Sequence, residues 1–412
     1  MRDNLSEALM IPLSSPKSKS PTINKTAVCW IVALGAVFGQ ASNGLAETPS
    51  NSTAPVAFVY VSYTPNVGAA NKIAAYAAHG NGKLSSVPGS PFAANVSSMV
   101  VNGKYLLASN LAGVDVASFR IQPNGALHWV NSTNVAQFEP SGCVFATPLV
   151  LDHTGATLYR EEIVGGLCED AEYQSFTIGK LTGKLNYIGK SAQRFLFNTP
   201  LTFSGNNNFA YGSECIDYRG GYLDTFAGLV RQNNGLLDYG SITIPTPAAQ
   251  NSGDYYCRSL TAADPTNHVA ASMQAINSNL QSTDGPTQLA TYTADASGNL
   301  TTTSTWANMP ATDVSYILDL GMSPSGKLLA VGGVGGLQVF HFKGSSPIAQ
   351  YTGLLTTDQI NQMFWDNHNH LYALSPSAGK LHVFTVTPTS AVEAPGSPYT
   401  ISGPAGIIVQ SH

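Results

Sequence analysis

The chain has 412 residues, 43% of them apolar and only 10% charged, with 39 glycines and 24 prolines. Such a composition suits a folded β protein of short strands and many tight turns. A formal charge of −5 with no basic cluster argues against nucleic acid or an anionic membrane surface as partner.

Residues 1–46 read as targeting. Lys17, Lys19 and Lys25 precede an apolar run from Ala27 to Phe38, and the small residues Gly44 and Ala46 follow. This is the order of a secretory signal peptide with a long basic region. The run is too short to span a bilayer, where about 20 residues are needed, so a short uncleaved anchor is the alternative to cleavage. Its removal takes four basic and two acidic side chains and leaves a charge of −7. Residues 47–56 read as a flexible leader, and no later stretch resembles a membrane span. Cys143, Cys168, Cys215 and Cys257 remain in the mature part, an even count that favours disulfides over free buried thiols in an exported chain. No C-x-x-C pair exists, so a thiolate zinc site is not expected. With no Ser-centred nucleophile elbow, phosphate loop or dinucleotide fingerprint either, no cofactor is expected.

From residue 57 one unit recurs. An apolar strand runs into a turn, a second strand is rich in Tyr and small apolar residues, a third alternates, and a glycine turn leads to a fourth. The turns align as VNGKYLLA (101–108), LDHTGATLY (151–159), FSGNNNFAY (203–211), ADPTNHVAA (263–271), MSPSGKLLA (322–330) and WDNHNHLYA (365–373). Third strands follow as KIAAY, DVASF, YQSFTI, QLATY, LQVFHF and KLHVF, with period-two alternation and no sustained helical period. First strands fall near residues 97, 144, 199, 257, 315, 361 and 405. Seven starts at that spacing predict an all-β, seven-bladed β-propeller over 57–412 with four-stranded blades. The chain opens on a second-type strand, AFVYVSY, and ends on a first-type strand, AGIIVQ. The C-terminal strand is therefore expected to complete the first blade and close the ring.

The phrases VYVSYTPN (59–66), GKLSSVPGSPFA (82–93), MSPSGKLLAV (322–331) and EAPGSPYTI (393–401) resemble the lactonase-type seven-bladed propellers, the 6-phosphogluconolactonase and YVTN-repeat superfamily. They are turn and strand phrases, which specify fold better than chemistry. The resemblance implies an Arg-His pair entering an inner strand and a Glu closing the next strand. In FNTPLTFSGNNNFAYGSE, Glu214 fits the Glu, while Asn198 and Thr199 stand where the pair would be. The family's other inner-strand His has no match, because His153 is a turn residue.

In a propeller, the loops that enter inner strands share one rim with those joining second to third strands. Blades three to five crowd polarity there, in REEIVGGLCEDAEYQ (160–174), SECIDYRGGY (213–222) and DYYCRS (254–259). Rim placement pairs Cys143 with Cys168 and Cys215 with Cys257. The second bond would hold Glu214 near Arg258, a base beside a cation able to steady an oxyanion, or else a bracing ion pair. Arg160, Glu161, Arg194, Asp217, Tyr218, Arg219 and Tyr256 are the expected ligand contacts. Tyr218, Tyr222, Tyr255 and Tyr256 can also form a stacking platform or serve as ordinary strand residues. DNHNH (366–370) aligns with the turn phrase and reads as a turn rather than a metal tract. Glu161, Glu162, Glu169, Asp170 and Glu172 lack the spacing of a calcium loop and read as solvated charge, so no metal is expected.

The expected function is an exported binding or scaffold propeller, acting as a monomer on a small polar ligand, a glycan or a protein. The alternative is a lactonase-like hydrolase of a non-phosphorylated lactone.

Overall fold

The computed structural model describes residues 54–66, 68–138, 147–164, 170–191, 201–218, 221–277, 279, 283 and 285–412. The expected signal peptide, Cys143, Cys168, Arg194, Asn198, Thr199 and Arg219 lie outside the described residues.

Seven antiparallel blades form the ring, and their inner strands begin at Val96, Leu149, Thr202, Tyr255, Tyr316, Gln362 and Pro404. Each lies within five residues of the expected start. The last of them, Pro404–Ser411, pairs antiparallel with Ala57–Tyr63, the second strand of blade one. The ring is thus closed by backbone hydrogen bonds between the two ends of the propeller. Blade four carries one addition, a two-stranded hairpin of Cys215–Tyr218 and Gly221–Asp224 between its second and third strands. No helix among the described residues is long and apolar enough to cross a membrane.

The turn phrases act through their side chains. Asp264 Oδ1 accepts the backbone N–H groups of Thr266 and His268, and Asp366 Oδ1 does the same for His368 and His370. DNHNH is therefore a turn that binds its own backbone. The Asp366 carboxyl is held below its usual range by its bonds to His370 and the turn amides, against the opposing effect of burial, which is the largest single influence.

Second strands supply the contacts between blades. They lie in the middle of the sheets, which is why they read as continuous apolar runs rather than alternating ones. Buried apolar side chains fall into seven clusters, one at each blade–blade interface, and none spans the ring. The second-strand tyrosines are fully buried, and their hydroxyls need partners there. Tyr60, Tyr159 and Tyr211 each donate to a glycine carbonyl in the outer turn of the following blade, at 3.0, 2.9 and 2.8 Å to Gly125, Gly235 and Gly298.

Inner strands from all seven blades line an axial channel of about 540 Å³. Asp319 is the single charged residue among its described lining residues. Its carboxylate accepts N–H groups from Leu320 at 2.8 Å and, across to blade seven, Met363 at 2.5 Å. Burial nevertheless dominates and raises its pKa to about 6. A carboxyl raised on folding binds a proton in the native state that the unfolded chain has already released. Stability from this group is thus present below the unfolded pKa near 4 and lost as pH rises through about 6. Denaturant titrations should show wild type losing up to about 3 kcal/mol relative to Asp319→Asn between pH 4 and pH 7. Parallel pH profiles for the two proteins would show that this carboxyl titrates normally.

Candidate functional site

The added hairpin of blade four organises the rim. Thr225 closes its base, donating its N–H to Glu214 O at 3.1 Å and accepting the Glu214 N–H on Oγ1 at 3.2 Å. A Cys215–Cys257 disulfide, with Cα atoms 5.3 Å apart, ties the hairpin to the start of blade five. This is one of the two expected pairings; the other lies outside the described residues. The Tyr255 hydroxyl adds a 2.5 Å bond to Tyr222 O.

Arg258 follows the bridged cysteine, and its partner is Asp224 at the end of the hairpin. Nη2 and Nε reach Asp224 Oδ2 at 2.6 and 2.9 Å, Nη1 reaches Pro245 O at 3.3 Å, and the guanidinium lies 4.7 Å above the Phe226 ring. Burial raises the Tyr292 phenol to about 12 while the Arg258 charge lowers it, which places Arg258 against the apolar interface of blades four and five. A bidentate, nearly buried pair of this kind is a structural brace.

Beside the hairpin lies a cavity of about 510 Å³ between blades four, five and six. Blade four contributes Ser213, Glu214, Cys215 and Tyr222, and blade six begins its share with Ser315 and Tyr316. From blade five come Ser259, Ser272, Gln274, Thr283 and Thr287 among others. Leu260, Ile317 and Leu318 add the apolar surface. The described lining holds no Lys, Arg or His. The blade-five inner strand is bulged between Arg258 and Thr261; Ser259 and Leu260 both line the cavity, while Arg258 is turned to Asp224. Gln274 is fixed in place, taking a bond from Thr287 Oγ1 at 2.9 Å and donating to Gly285 O at 3.1 Å.

Other expected contacts take different places. Arg160 is 1% exposed and donates to Gly113 O at 3.0 Å and Gln174 Oε1 at 3.3 Å, bracing blade three against blade two. Glu161 is also 1% exposed. It acts on the buried Tyr173 phenol, which burial first, and then Glu161, Tyr239 and Glu214, push well above its usual value. Tyr256 is buried with its hydroxyl 2.6 Å from Gln288 Oε1. Asp217 and Tyr218 pair in register with Tyr222 and Gly221 in the hairpin. Of the four tyrosines considered as a platform, Tyr222 lines the cavity. Tyr316 and the blade-five hydroxyls were absent from the expected set. The signal for Tyr316 is its place as the first residue of an inner strand; Ser259 sits at a bulge, which strand alternation does not reveal.

No family model and no curated protein sequence matches the chain. Solved structures match it at low identity. A provisional 6-phosphogluconolactonase of Bacteroides uniformis shares 14% identity with a TM-score of 0.61, over 86% of this chain and 99% of that one. A functionally unknown protein of Desulfotomaculum acetoxidans shares 13% at a TM-score of 0.57, over 86% and 99%. A protein of Lactobacillus plantarum shares 12% at 0.56, over the same shares of each chain. At such identities the likeness is one of fold, and that fold is a seven-bladed β-propeller.

Proposed function

We propose that the protein is an exported binding propeller that holds a small polar ligand in the cavity between blades four, five and six. The observation that carries this reading is the cavity's chemistry. A volume of about 510 Å³ is within the range of small-molecule sites. The described lining offers hydroxyls, an amide, two phenols and the Glu214 carboxylate, groups that orient a ligand through hydrogen bonds. Export is supported by the signal-like residues 1–46 and by the Cys215–Cys257 disulfide, a bond that persists in oxidising compartments.

Lactone hydrolysis is the second reading, favoured by Glu214 on the cavity wall, where a carboxylate can direct water at a carbonyl. An oxyanion then needs a donor or cation beside it. Arg258 is bonded to Asp224 and is not among the described lining residues, which leaves only neutral hydroxyl, phenol and amide donors for that role.

Two measurements separate the readings. A lactone hydrolysis screen of the protein beside Glu214→Gln is expected to show no turnover in either; turnover that collapses in the variant would establish the hydrolase. A thermal-shift screen of small polar compounds, run beside Ser259→Trp to fill the cavity, should yield a ligand whose stabilisation is lost in the variant. Hits that persist undiminished in Ser259→Trp would move the site elsewhere.

A further inference from the structure

We infer that the ligand of this cavity is a neutral carbohydrate, a pyranose ring stacked on Tyr316 with its hydroxyls turned to the blade-five wall. The inference deepens the binding reading and rests on it. Tyr316 opens the inner strand of blade six on the cavity wall and is 65% exposed. Burial of so large an apolar face in a ligand complex is favourable, and nothing within the described residues covers it. A sugar ring suits it because one face of a pyranose is a row of C–H bonds, slightly positive, which meets the negative face of an aromatic ring.

The opposite requirement is a wall that both donates and accepts. Hydroxyls do so by rotating, and an amide does so through separate atoms. Ser259, Thr287 and Gln274 supply this on blade five, and Glu214 and Tyr222 add an acceptor and a phenol on blade four. Vicinal sugar hydroxyls have the same dual character. The Thr287–Gln274–Gly285 chain of bonds holds the Gln274 amide in one orientation before any ligand arrives, which reduces the ordering cost of binding.

Charge narrows the class further. A phosphate or carboxylate in this cavity would sit near the Glu214 carboxylate with no cation among the described lining residues to balance it. Neutral sugars are therefore expected to bind and sugar phosphates to be rejected.

The test is titration calorimetry of the full-length protein with methyl glycosides of glucose, galactose, mannose and N-acetylglucosamine, their short oligosaccharides, glucose 6-phosphate and acyclic sorbitol. At least one neutral pyranoside should bind, with sorbitol and glucose 6-phosphate at least tenfold weaker. Tyr316→Ala should weaken that binding at least tenfold while Tyr316→Phe, which keeps the ring, stays within about threefold. Equal binding of sorbitol, or an unchanged affinity in Tyr316→Ala, overturns the stacking geometry. If no pyranoside binds but another polar compound does so in a Ser259-dependent way, the carbohydrate class is wrong and the binding reading stands. If no compound of any class shows Ser259-dependent binding, both fall together.

Discussion

Replacing Cys215 and Cys257 together by serine is expected to lower the unfolding free energy by about 4 kcal/mol, from loop-closure entropy alone. The bond closes a loop with a sequence separation of 42, a long stretch to leave free in the unfolded chain. A change of that size is a large part of the 5–15 kcal/mol typical of a folded domain. The serine pair should nevertheless fold, because other contacts hold the hairpin. Asp224 keeps its bidentate bond to Arg258, Tyr255 keeps its bond to Tyr222 O, and Thr225 keeps Glu214 in place. Guanidinium titrations of the two proteins measure the loss directly. Hydrogen exchange should show where it falls, with protection reduced most in residues 215–224 and at the start of the blade-five inner strand. A loss below about 1 kcal/mol would show that the ion pair and the Thr225 bonds fix the hairpin without the covalent link.

The ring was legible in the sequence because each repeat carries its constraints locally. Asp264 and Asp366 bind amides two and four residues ahead, so the same short phrase marks the same turn wherever it occurs. Glu214 was legible too, through its place at the end of a second strand. The rest of the cavity was not, because its walls come from three blades and the decisive competitors are distant. Arg258 stands beside a bridged cysteine, as expected, but Asp224 lies 34 residues away and reaches it first. Charge and rim position do not decide between Glu214 and Asp224 as its partner; the packed hairpin does. Arg160 shows the same limit. In sequence it is a cation on a polar rim, whereas in the fold it meets Gly113 O of the preceding blade and is buried. Long side chains with several donors find partners across blade interfaces, and only the packed ring reveals which.

Those interfaces support a further prediction of large effect, at Gly298. This glycine sits in the outer turn of blade five at φ 84°, where an L side chain is strained. Its carbonyl accepts the Tyr211 hydroxyl of blade four at 2.8 Å. A Cβ there would lie 2.5–2.8 Å from three atoms of the Phe209 ring, which is itself packed between blades four and five. Gly298→Ala therefore combines backbone strain of about 1–2 kcal/mol with overpacking of about 1–3 kcal/mol. The expected loss is about 2–5 kcal/mol, read as a fall in the denaturation midpoint with little change in slope. Gly103 separates the two contributions. Its φ of 85° is nearly the same, yet a Cβ there would meet nothing within 4 Å. Gly103→Ala should thus lose only the strain, about 1–2 kcal/mol. If the two variants lose the same amount, the outer turn is not docked on Phe209, and blade four is held to blade five by other contacts. A much larger loss at Gly298 would identify these glycine turns as the points where each blade grips the one before it. The same test then extends to Gly183 against Tyr105 and Gly235 against Thr157, where a Cβ would also meet the preceding blade.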